Sequence, residues 1–166
     1  MIGNDIIDLQ QSRLESNWQR KGFIEKLFTV EEQLLIKNNE QPEIMVWLLW
    51  SMKEAAYKIY NRETKIRAFI PQKLICNIRQ QNDLFVSGNV TCDKNIYHTR
   101  AIVTKNFIHT IAVINENELN NVIEIERKEV VKDSNGIPFL SSSFNWQKPV
   151  SISHHGQFEK IVCLSS

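Results

Sequence analysis

The order of apolar and polar positions predicts a strand at the start of the chain, then helices, then short strands. Residues 2–9, "IGNDIIDL", form an apolar, strand-like run. Residues 12–39 predict two helices, and the second begins with a capping box formed by Thr29 and Glu32. A third helix, "PEIMVWLLWSMKEAAYKIYNR", starts at Pro42. Its first half is apolar all round, which is typical of a helix buried in a core.

The second half of the chain is dominated by short β-rich segments. "KLICNI", "LFVSGNV", "HTRAIVT" and "IHTIAVI" follow one another between residues 69 and 114, separated by polar turns. Residues 115–131 fit either helix or strand, and we expect a helix followed by a strand. A turn is predicted at residues 135–136, and the last 18 residues predict two strands joined at Gly156. The pattern therefore predicts one α+β domain over residues 1–166, with helices packed on an antiparallel sheet.

Composition narrows the classes of partner. The 20 Lys and Arg residues nearly balance the 19 Asp and Glu residues, so the net charge of +1 gives no general reason to expect nucleic acid. Three widely spaced cysteines, Cys76, Cys92 and Cys163, lack metal-ligand spacing and predict reduced core thiols. With no signal peptide and no apolar run that could span a bilayer, we expect a cytoplasmic protein without membrane contact.

Asp5 is the first candidate functional residue, because it interrupts an apolar strand. Ile2 and Ile6 share one face, and Asp5 shares the other with Ile7 and Leu9, so it has apolar neighbours in either orientation. A buried carboxylate costs about several kcal/mol unless a cation, a metal ion or hydrogen-bond donors compensate it. Asn-Asp is also turn chemistry, so a loop or a helix cap remains an alternative from this pattern alone.

A polar stripe on the third helix supplies the second carboxylate. Trp50, Glu54, Lys58 and Asn61 recur at three- and four-residue spacing and form one face. One interpretation is a solvated Glu–Lys pair worth about a few tenths of a kcal/mol. The other follows from the buried half-helix, which puts Glu54 near the core boundary. Two carboxylates with open coordination suit a Mg²⁺ ion bound to a phosphate, because Mg²⁺ takes only one or two protein oxygens.

The segment "SISHHG" is a candidate anion site. Ser153, His154 and His155 follow a predicted strand and precede Gly156. Such histidines are commonly ordinary surface or core residues. Anion binding by a Ser–His pair and the backbone of a turn is the favoured functional interpretation. Metal binding is less favoured, since neighbours on a strand point to opposite faces. Nucleophilic catalysis by Ser153 lacks the G-x-S-x-G frame.

Five segments in order, "IGNDIIDL", "FIEKLFTVEE", "WSMKEAAYK", "DSNGIPFL" and "VSISHHGQF", resemble the successive motifs of the 4′-phosphopantetheinyl transferases. Their order resembles the single-domain, holo-acyl-carrier-protein-synthase type. The resemblance implies that fold and a Mg²⁺-dependent transfer of the phosphopantetheine arm of coenzyme A. The acceptor would be a serine of an acidic apo acyl or peptidyl carrier protein, as in fatty acid biosynthesis. The other product would be adenosine 3′,5′-bisphosphate.

The resemblance also implies roles for individual residues. Asp5 and Glu54 match the metal-binding pair, and Glu54 is also the candidate base for the serine proton. Lys58 matches the lysine on the diphosphate and is the second catalytic candidate. Three further residues match positions near coenzyme A: Lys53 beside the glutamate, and Ser153 and His154 near the 3′-phosphate. Residues 135–138 match an N-G-x-P turn, which we expect to shape the pocket.

Departures from the family pattern qualify this reading. Ile7 stands where two-domain members carry a third acidic ligand. Asp8, on the other face from Asp5, is expected either to support the metal-binding residues from behind or to be structural. Leu49 replaces a frequent arginine, and residues 61–64 replace a glycine-rich turn. Both changes affect the expected contacts with the phosphates of coenzyme A, for which Arg62, Lys65 or Arg67 could substitute. An alternative is a catalytically degenerate module that binds coenzyme A or a carrier protein. A third hypothesis is an unrelated structural domain.

Assembly and partner docking are the remaining expectations. Residues 76–126 have no counterpart in the shortest family members and are predicted to be a β-rich insertion. One set of motifs implies a homo-oligomer, favouring a trimer, with Ser153 and His154 of one subunit near Asp5 and Glu54 of the next. Alternatively, the insertion closes the site within a monomer. Basic residues near the site are candidates for steering the acidic carrier protein: Arg13, Arg20, Lys21 and Lys26.

Overall fold

Two antiparallel sheets meet at the N-terminal strand, and a long helix packs on the first sheet. The computed structural model describes residues 1–134, 136–141 and 147–165; Asn135 of the predicted N-G-x-P turn lies outside them. The helices are α1 (Leu9–Glu15), α2 (Phe23–Leu27), α3 (Val30–Lys37) and α4 (Pro42–Thr64). The first sheet contains β1 (Ile2–Asp8), β2 (Ile75–Gln81), β3 (Val86–Cys92), β4 (Asn95–Val103) and β5 (Phe107–Val113). The second contains β6 (Val122–Glu124), β7 (Val130–Lys132), β8 (Pro138–Ser141), β9 (Gln147–His155) and β10 (Phe158–Leu164).

The strand orders are β1-β5-β4-β3-β2 and β6-β10-β9-β8-β7, and neighbouring strands are antiparallel. This confirms the predicted α+β class with helices packed on antiparallel strands. The segment expected to be helix then strand instead forms a 3₁₀ helix, Glu116–Asn121, before β6. No helix in the part of the chain described here is both long and apolar enough to cross a membrane.

Residues 76–126, predicted to be an insertion, are integral to the first sheet. Strands β2 to β5 supply four of its five strands, and β5 lies directly beside β1, with Thr110 opposite Asp5. The main core includes fully buried Val90, Ile108 and Ala112 from these strands, packed with residues of α4. In this chain the segment is therefore part of the core rather than an appendage to it.

Helix α4 lies unusually close to β1 because small residues face each other there. A Cβ atom added to Gly3 would stand 2.0 Å from the carbonyl oxygen of Ala55. Ala55 and Ala56 are fully buried, as are Val46 and Leu49 in the apolar half of the helix. This close contact places the polar stripe of α4, including Glu54 and Lys58, beside β1.

Lys53 is buried in the core and forms an ion pair there. The side chains of Lys53 and Glu32 are each only 1% exposed, and Nζ of Lys53 lies 2.8 Å from Oε2 of Glu32. The ammonium also donates to the carbonyl oxygens of Pro71 at 2.7 Å and Leu74 at 2.5 Å. Since these contacts occupy its three donors, the structure contradicts the prediction that Lys53 contacts coenzyme A.

The partner Glu32 joins three parts of the fold. Its side chain accepts from the backbone N–H of Thr29 at 2.8 Å, which completes the predicted capping box of α3. It also accepts from the N–H of Cys76 at 2.8 Å, at the start of β2. The Glu32–Lys53 pair therefore ties α3, α4 and β2 together.

The outer edge of β1 is closed by side chains of β9. Oγ of Ser151 accepts from the N–H of Asn4 at 2.9 Å, and Oγ of Ser153 accepts from the N–H of Ile6 at 3.0 Å. Nδ1 of His155 accepts from the next alternate N–H along β1, that of Asp8, at 2.9 Å. The two residues of each of these three pairs are 147 positions apart in the sequence. Because this separation is constant, β1 and β9 run in the same direction. We call this set of contacts the β1–β9 seam.

Two cations of α4 complete the seam by bonding carbonyl oxygens on both strands. Nζ of Lys58 donates to Asn4 at 2.6 Å and to Ile152 at 3.1 Å. One turn further along, the guanidinium of Arg62 donates to the carbonyl oxygens of Ile2 and Val150. Helix α4 thus fixes the two sheets relative to each other.

Replacing Lys53 with alanine tests the buried ion pair. It leaves the Glu32 carboxylate buried without its cation, so we expect a loss of about 3–5 kcal/mol in the free energy of unfolding. Urea unfolding of the exposed-site control Lys73→Ala should shift by less than about 0.5 kcal/mol. Equal stability of the two variants would contradict this role of Lys53.

Replacing Ser151 with alanine tests the seam. Ser151 and Asn4 are fully buried, so the Asn4 N–H loses its acceptor and we expect destabilisation of about 1–3 kcal/mol. The matched control is Ser87→Ala on β3, a half-buried serine whose hydroxyl bonds to no described residue. Chemical denaturation of the two variants measures the difference, and a Ser151 effect no larger than that of Ser87 would count against the seam.

Candidate active site

Asp5 lies in the middle of β1 and is held by the seam. Its side chain is 14% exposed, its Oδ1 accepts from Oγ of Ser153 at 2.9 Å, and Nζ of Lys58 is 3.9 Å away. Burial raises the pKa of Asp5 to about 6, against the lowering effects of Lys58 and Ser153. The alternative of a loop or cap is thereby excluded for Asp5. The capping role belongs to Asp8, which accepts from the N–H groups of Gln10 and Gln11 at the start of α1.

Glu54 faces Asp5 from α4, one turn before Lys58. Burial and then the charge of Asp5 raise the pKa of Glu54 to about 7, while Lys58 lowers it. Its carboxylate makes no hydrogen bond to any described residue. A largely buried acid without donors is an expensive arrangement in an empty protein, and a bound cation would relieve it.

The two carboxylates line one pocket of about 240 Å³. Trp50, His154 and His155 also line it. The structure therefore brings together the predicted Asp5 and Glu54, with exposed His154 at the same pocket. Lys58 stands beside Asp5 at the seam, and burial lowers the pKa of its ammonium, although both carboxylates oppose this.

The carboxylates of Asp5 and Glu54 suit a metal ion that takes only one or two ligands from the protein. Within residues 1–134, 136–141 and 147–165, no group of three or more His, Cys, Asp and Glu side chains is arranged to hold a metal. A cation bound by Asp5 and Glu54 would therefore take its remaining oxygens from water or a ligand. Mg²⁺ binds in this way, with one or two carboxylates and substrate phosphates. The residues present fit a metal–phosphate site rather than a closed structural metal site.

Ser153 is directed into the protein rather than towards a ligand. Its hydroxyl accepts from Ile6 and donates to Asp5, and the residue is 7% exposed. In this conformation it orients Asp5, so its predicted contact with coenzyme A is not available without breaking these bonds. The second histidine is structural, because His155 bonds the Asp8 N–H and, through Nε2, Glu15 at 3.1 Å.

The Ser153–Asp5 hydrogen bond lies within a single chain. The prediction placed Ser153 and His154 of one subunit near Asp5 and Glu54 of another, and the structure corrects this arrangement. The strand β9 runs beside β1, which the sequence pattern could not reveal across about 145 intervening residues. The argument for an oligomer from a divided set of motifs therefore loses its basis.

Two larger pockets adjoin these residues along α4. One, of about 600 Å³, is lined by the aromatic side chains of Phe23, Trp47, Trp50 and Phe69 and by three cations, Arg20, Lys21 and Lys26. It shares Trp47 and Trp50 with the carboxylate pocket. The other, of about 410 Å³, is lined by Lys58, Arg62 and Arg67, from α4 and the segment just after it, and by Arg127 and Lys132 from a distant part of the chain. Sequence reasoning singled out neither Arg127 nor Lys132, because their segment had no clear pattern.

Comparison with known proteins identifies the family. No curated protein matches the chain. A model of the 4′-phosphopantetheinyl transferase superfamily matches residues 1–112, which run from β1 almost to the end of β5. The matched part includes Asp5, Glu54 and Lys58, and it covers 112 of the 166 residues. This chain therefore belongs to the 4′-phosphopantetheinyl transferase superfamily.

Proposed function

We propose that this chain is a Mg²⁺-dependent transferase of the holo-acyl-carrier-protein-synthase type. It moves the phosphopantetheine arm of coenzyme A to a serine of an apo acyl or peptidyl carrier protein and releases adenosine 3′,5′-bisphosphate. Membership of the superfamily supports phosphopantetheine transfer in general. The observation that carries the finer proposal is the shared pocket of Asp5 and Glu54, with Lys58 beside Asp5.

The reaction is a displacement at phosphorus. The serine oxygen forms a bond to the phosphorus that carries the pantetheine arm, and the bond from that phosphorus to the bridging oxygen breaks. Asp5 and Glu54 would hold the Mg²⁺ ion, which supplies charge neutralisation on the diphosphate when bound. Ser153 donates to Oδ1 of Asp5 and so fixes the orientation of this carboxylate.

Proton transfer and charge stabilisation fall to Glu54 and Lys58. A general base works best when its pKa is near the operating pH, and the pKa of about 7 for Glu54 suits removal of the serine proton. Lys58 lies 3.9 Å from Oδ1 of Asp5 and is positioned to offset charge on the reacting diphosphate.

The aromatic groove next to the carboxylates is the proposed docking surface for the carrier protein. Its cations, Arg20, Lys21 and Lys26, favour an acidic partner, and its aromatic side chains offer apolar contact. Arg13, also predicted to steer the carrier, forms an ion pair with Glu43 at 2.9 Å. Since Trp47 and Trp50 line both pockets, a carrier bound there would present its serine next to Glu54.

Replacing Glu54 with glutamine is the direct test of the proposal. With coenzyme A, Mg²⁺ and an apo carrier protein, mass spectrometry should detect the pantetheine adduct with the wild type. In Glu54→Gln, we expect kcat/KM to fall at least about a hundredfold, because the base and a metal ligand are lost. Glu31→Gln, at an exposed site on α3, is the control and should retain activity.

Two results together would support the degenerate binding module instead. No adduct would form with any of several acyl and peptidyl carrier proteins, and coenzyme A would bind independently of metal. Full activity of Glu54→Gln would remove Glu54 from the chemistry.

The raised pKa values of Asp5 and Glu54 predict how stability depends on pH. Both acids bind protons more tightly in the folded chain than in the unfolded chain, so without metal their contribution to stability is lost as pH rises through about 6 and 7. Thermal unfolding in a chelator should show a melting temperature that falls between pH 5.5 and 8. The expected fall is about 3 °C for each kcal/mol lost from the free energy of unfolding.

The double variant Asp5→Asn/Glu54→Gln should flatten this pH dependence. In the wild type, Mg²⁺ should stabilise more at pH 8 than at pH 5.5, because the metal requires both carboxylates to be deprotonated. A Mg²⁺ effect that is the same at both pH values would contradict the assignment of these residues as its ligands.

A further inference from the structure

His155, which the proposed reaction does not use, connects three parts of the fold. Its Nδ1 accepts from the N–H of Asp8 at 2.9 Å, so the ring proton of the neutral side chain lies on Nε2. Nε2 lies 3.1 Å from Oε2 of Glu15 and donates to it. Both ring nitrogens are therefore engaged, and they join β9 to the end of β1 and to Glu15, the last residue of α1.

The Glu15–His155 contact closes a ring of hydrogen bonds around α1. Asp8 accepts from the N–H groups of Gln10 and Gln11 at the start of the helix. The side chain of Gln11 then donates to Oε1 of Glu15 at 2.6 Å. The hydrogen bonds from Gln11 and from His155 hold the pKa of Glu15 below its ordinary value, so its carboxylate is an ionised acceptor. Both ends of α1 are thus fixed by one connected set of contacts.

Helix α1 depends on such contacts, because it has little packing of its own. It contains seven residues, of which only Leu9 and Ser12 are buried. A helix of this length is not stable by itself in water. Arg13 pairs with Glu43 and holds α1 against the start of α4. The Glu15–His155 contact holds the end of α1 against β9, the strand that runs beside Asp5.

The segment between α1 and α2, residues 16–22, forms part of both the carboxylate pocket and the aromatic groove. Ser16 lines both, and Arg20 and Lys21 line the groove. Trp18 packs against the main core. Among the described residues, the hydrogen bonds within this segment are local turn contacts. The position of its first residues is therefore set by the end of α1.

We propose that Glu15 and His155 are positioning residues for the carrier protein. By holding the end of α1 on β9, they set how residues 16–22 lie relative to Asp5 and Glu54. The inference rests on the proposed function, in which the aromatic groove receives the carrier. Glu15 lines neither the groove nor the carboxylate pocket, so it acts through the segment rather than on a substrate.

Two substitutions of Glu15 separate its hydrogen bond from its charge. Glu15→Ala and Glu15→Gln each remove one negative charge, but the glutamine oxygen can still accept from Nε2 of His155. Loss of the charge alone favours an acidic carrier. In the transfer assay, we expect KM for the apo carrier protein to rise in Glu15→Ala and to stay at or below the wild-type value in Glu15→Gln. Neither variant should change kcat or KM for coenzyme A.

The expected rise in KM for Glu15→Ala is about threefold to fivefold, the range for a partly exposed pair. The Glu15 side chain is 52% exposed and that of His155 is 27% exposed. Glu31→Ala is the matched control, because it removes the same charge from an exposed site on α3. It should leave KM for the carrier at the wild-type value.

Hydrogen exchange followed by mass spectrometry tests the positioning without a carrier or a transfer reaction. In Glu15→Ala, peptides that cover residues 9–22 should exchange at least about twofold faster than in the wild type, because the end of α1 is released. Peptides from β1 and from the second half of α4 should not change. Glu15→Gln and Glu31→Ala should exchange as the wild type does.

The outcomes separate this inference from the proposed function. Unchanged exchange of residues 9–22 in Glu15→Ala, faster exchange throughout the chain, or the same KM for the two Glu15 variants would overturn it even if transfer occurs. Faster exchange confined to residues 9–22, in a protein that modifies no carrier, would uphold the positioning of the segment and defeat the proposed reaction.

Discussion

The β1–β9 seam is the interaction on which the rest of this structure depends. β1 is the edge strand of the first sheet, and an exposed edge presents unpaired N–H and C=O groups. Here Ser151, Ser153 and His155 accept from alternate amides of β1, and Lys58 and Arg62 donate to its carbonyl oxygens. Because side chains rather than backbone make these bonds, the second sheet is joined to the first without continuing its ladder.

The hydrogen bonds that join the sheets also orient Asp5 and hold Lys58 beside it. The hydroxyl of Ser153 accepts from the backbone of Ile6 and donates to Asp5, so a structural contact fixes the direction of a functional side chain. Lys58 likewise bonds carbonyl oxygens of both strands and lies beside Asp5. None of the residues that the structure describes donates a hydrogen bond to Glu54. This part of the fold thus leaves the carboxylate charge incompletely compensated, which favours binding of a cation.

Sequence reasoning succeeded where the signal was local. The capping box of α3, the start of α4 at Pro42 and its buried first half follow from spacing within a few residues, and the structure confirms them. It failed where a partner was distant in sequence. Lys53 precedes Glu54 by one residue, a rotation of about 100° around the helix. This rotation is enough to direct it into the core, and its partner Glu32 belongs to another helix. The sequence pattern likewise did not predict the pairing of β1 with β9 or the role of the cations after residue 126.

The second sheet supplies, within one chain, site residues that were expected to come from a neighbouring subunit. The family resemblance implied that Ser153 and His154 of one subunit would complete the site of the next. In this chain β9 brings Ser153 and His154 to Asp5, and residues of β7 and β8 line the same pocket as Lys58 and Arg62. Leu49, in place of a frequent arginine, is fully buried and cannot contact a phosphate. The seam holds the second sheet in place, and the segment before β8 brings Arg127 and Lys132 to the pocket that Lys58 and Arg62 line.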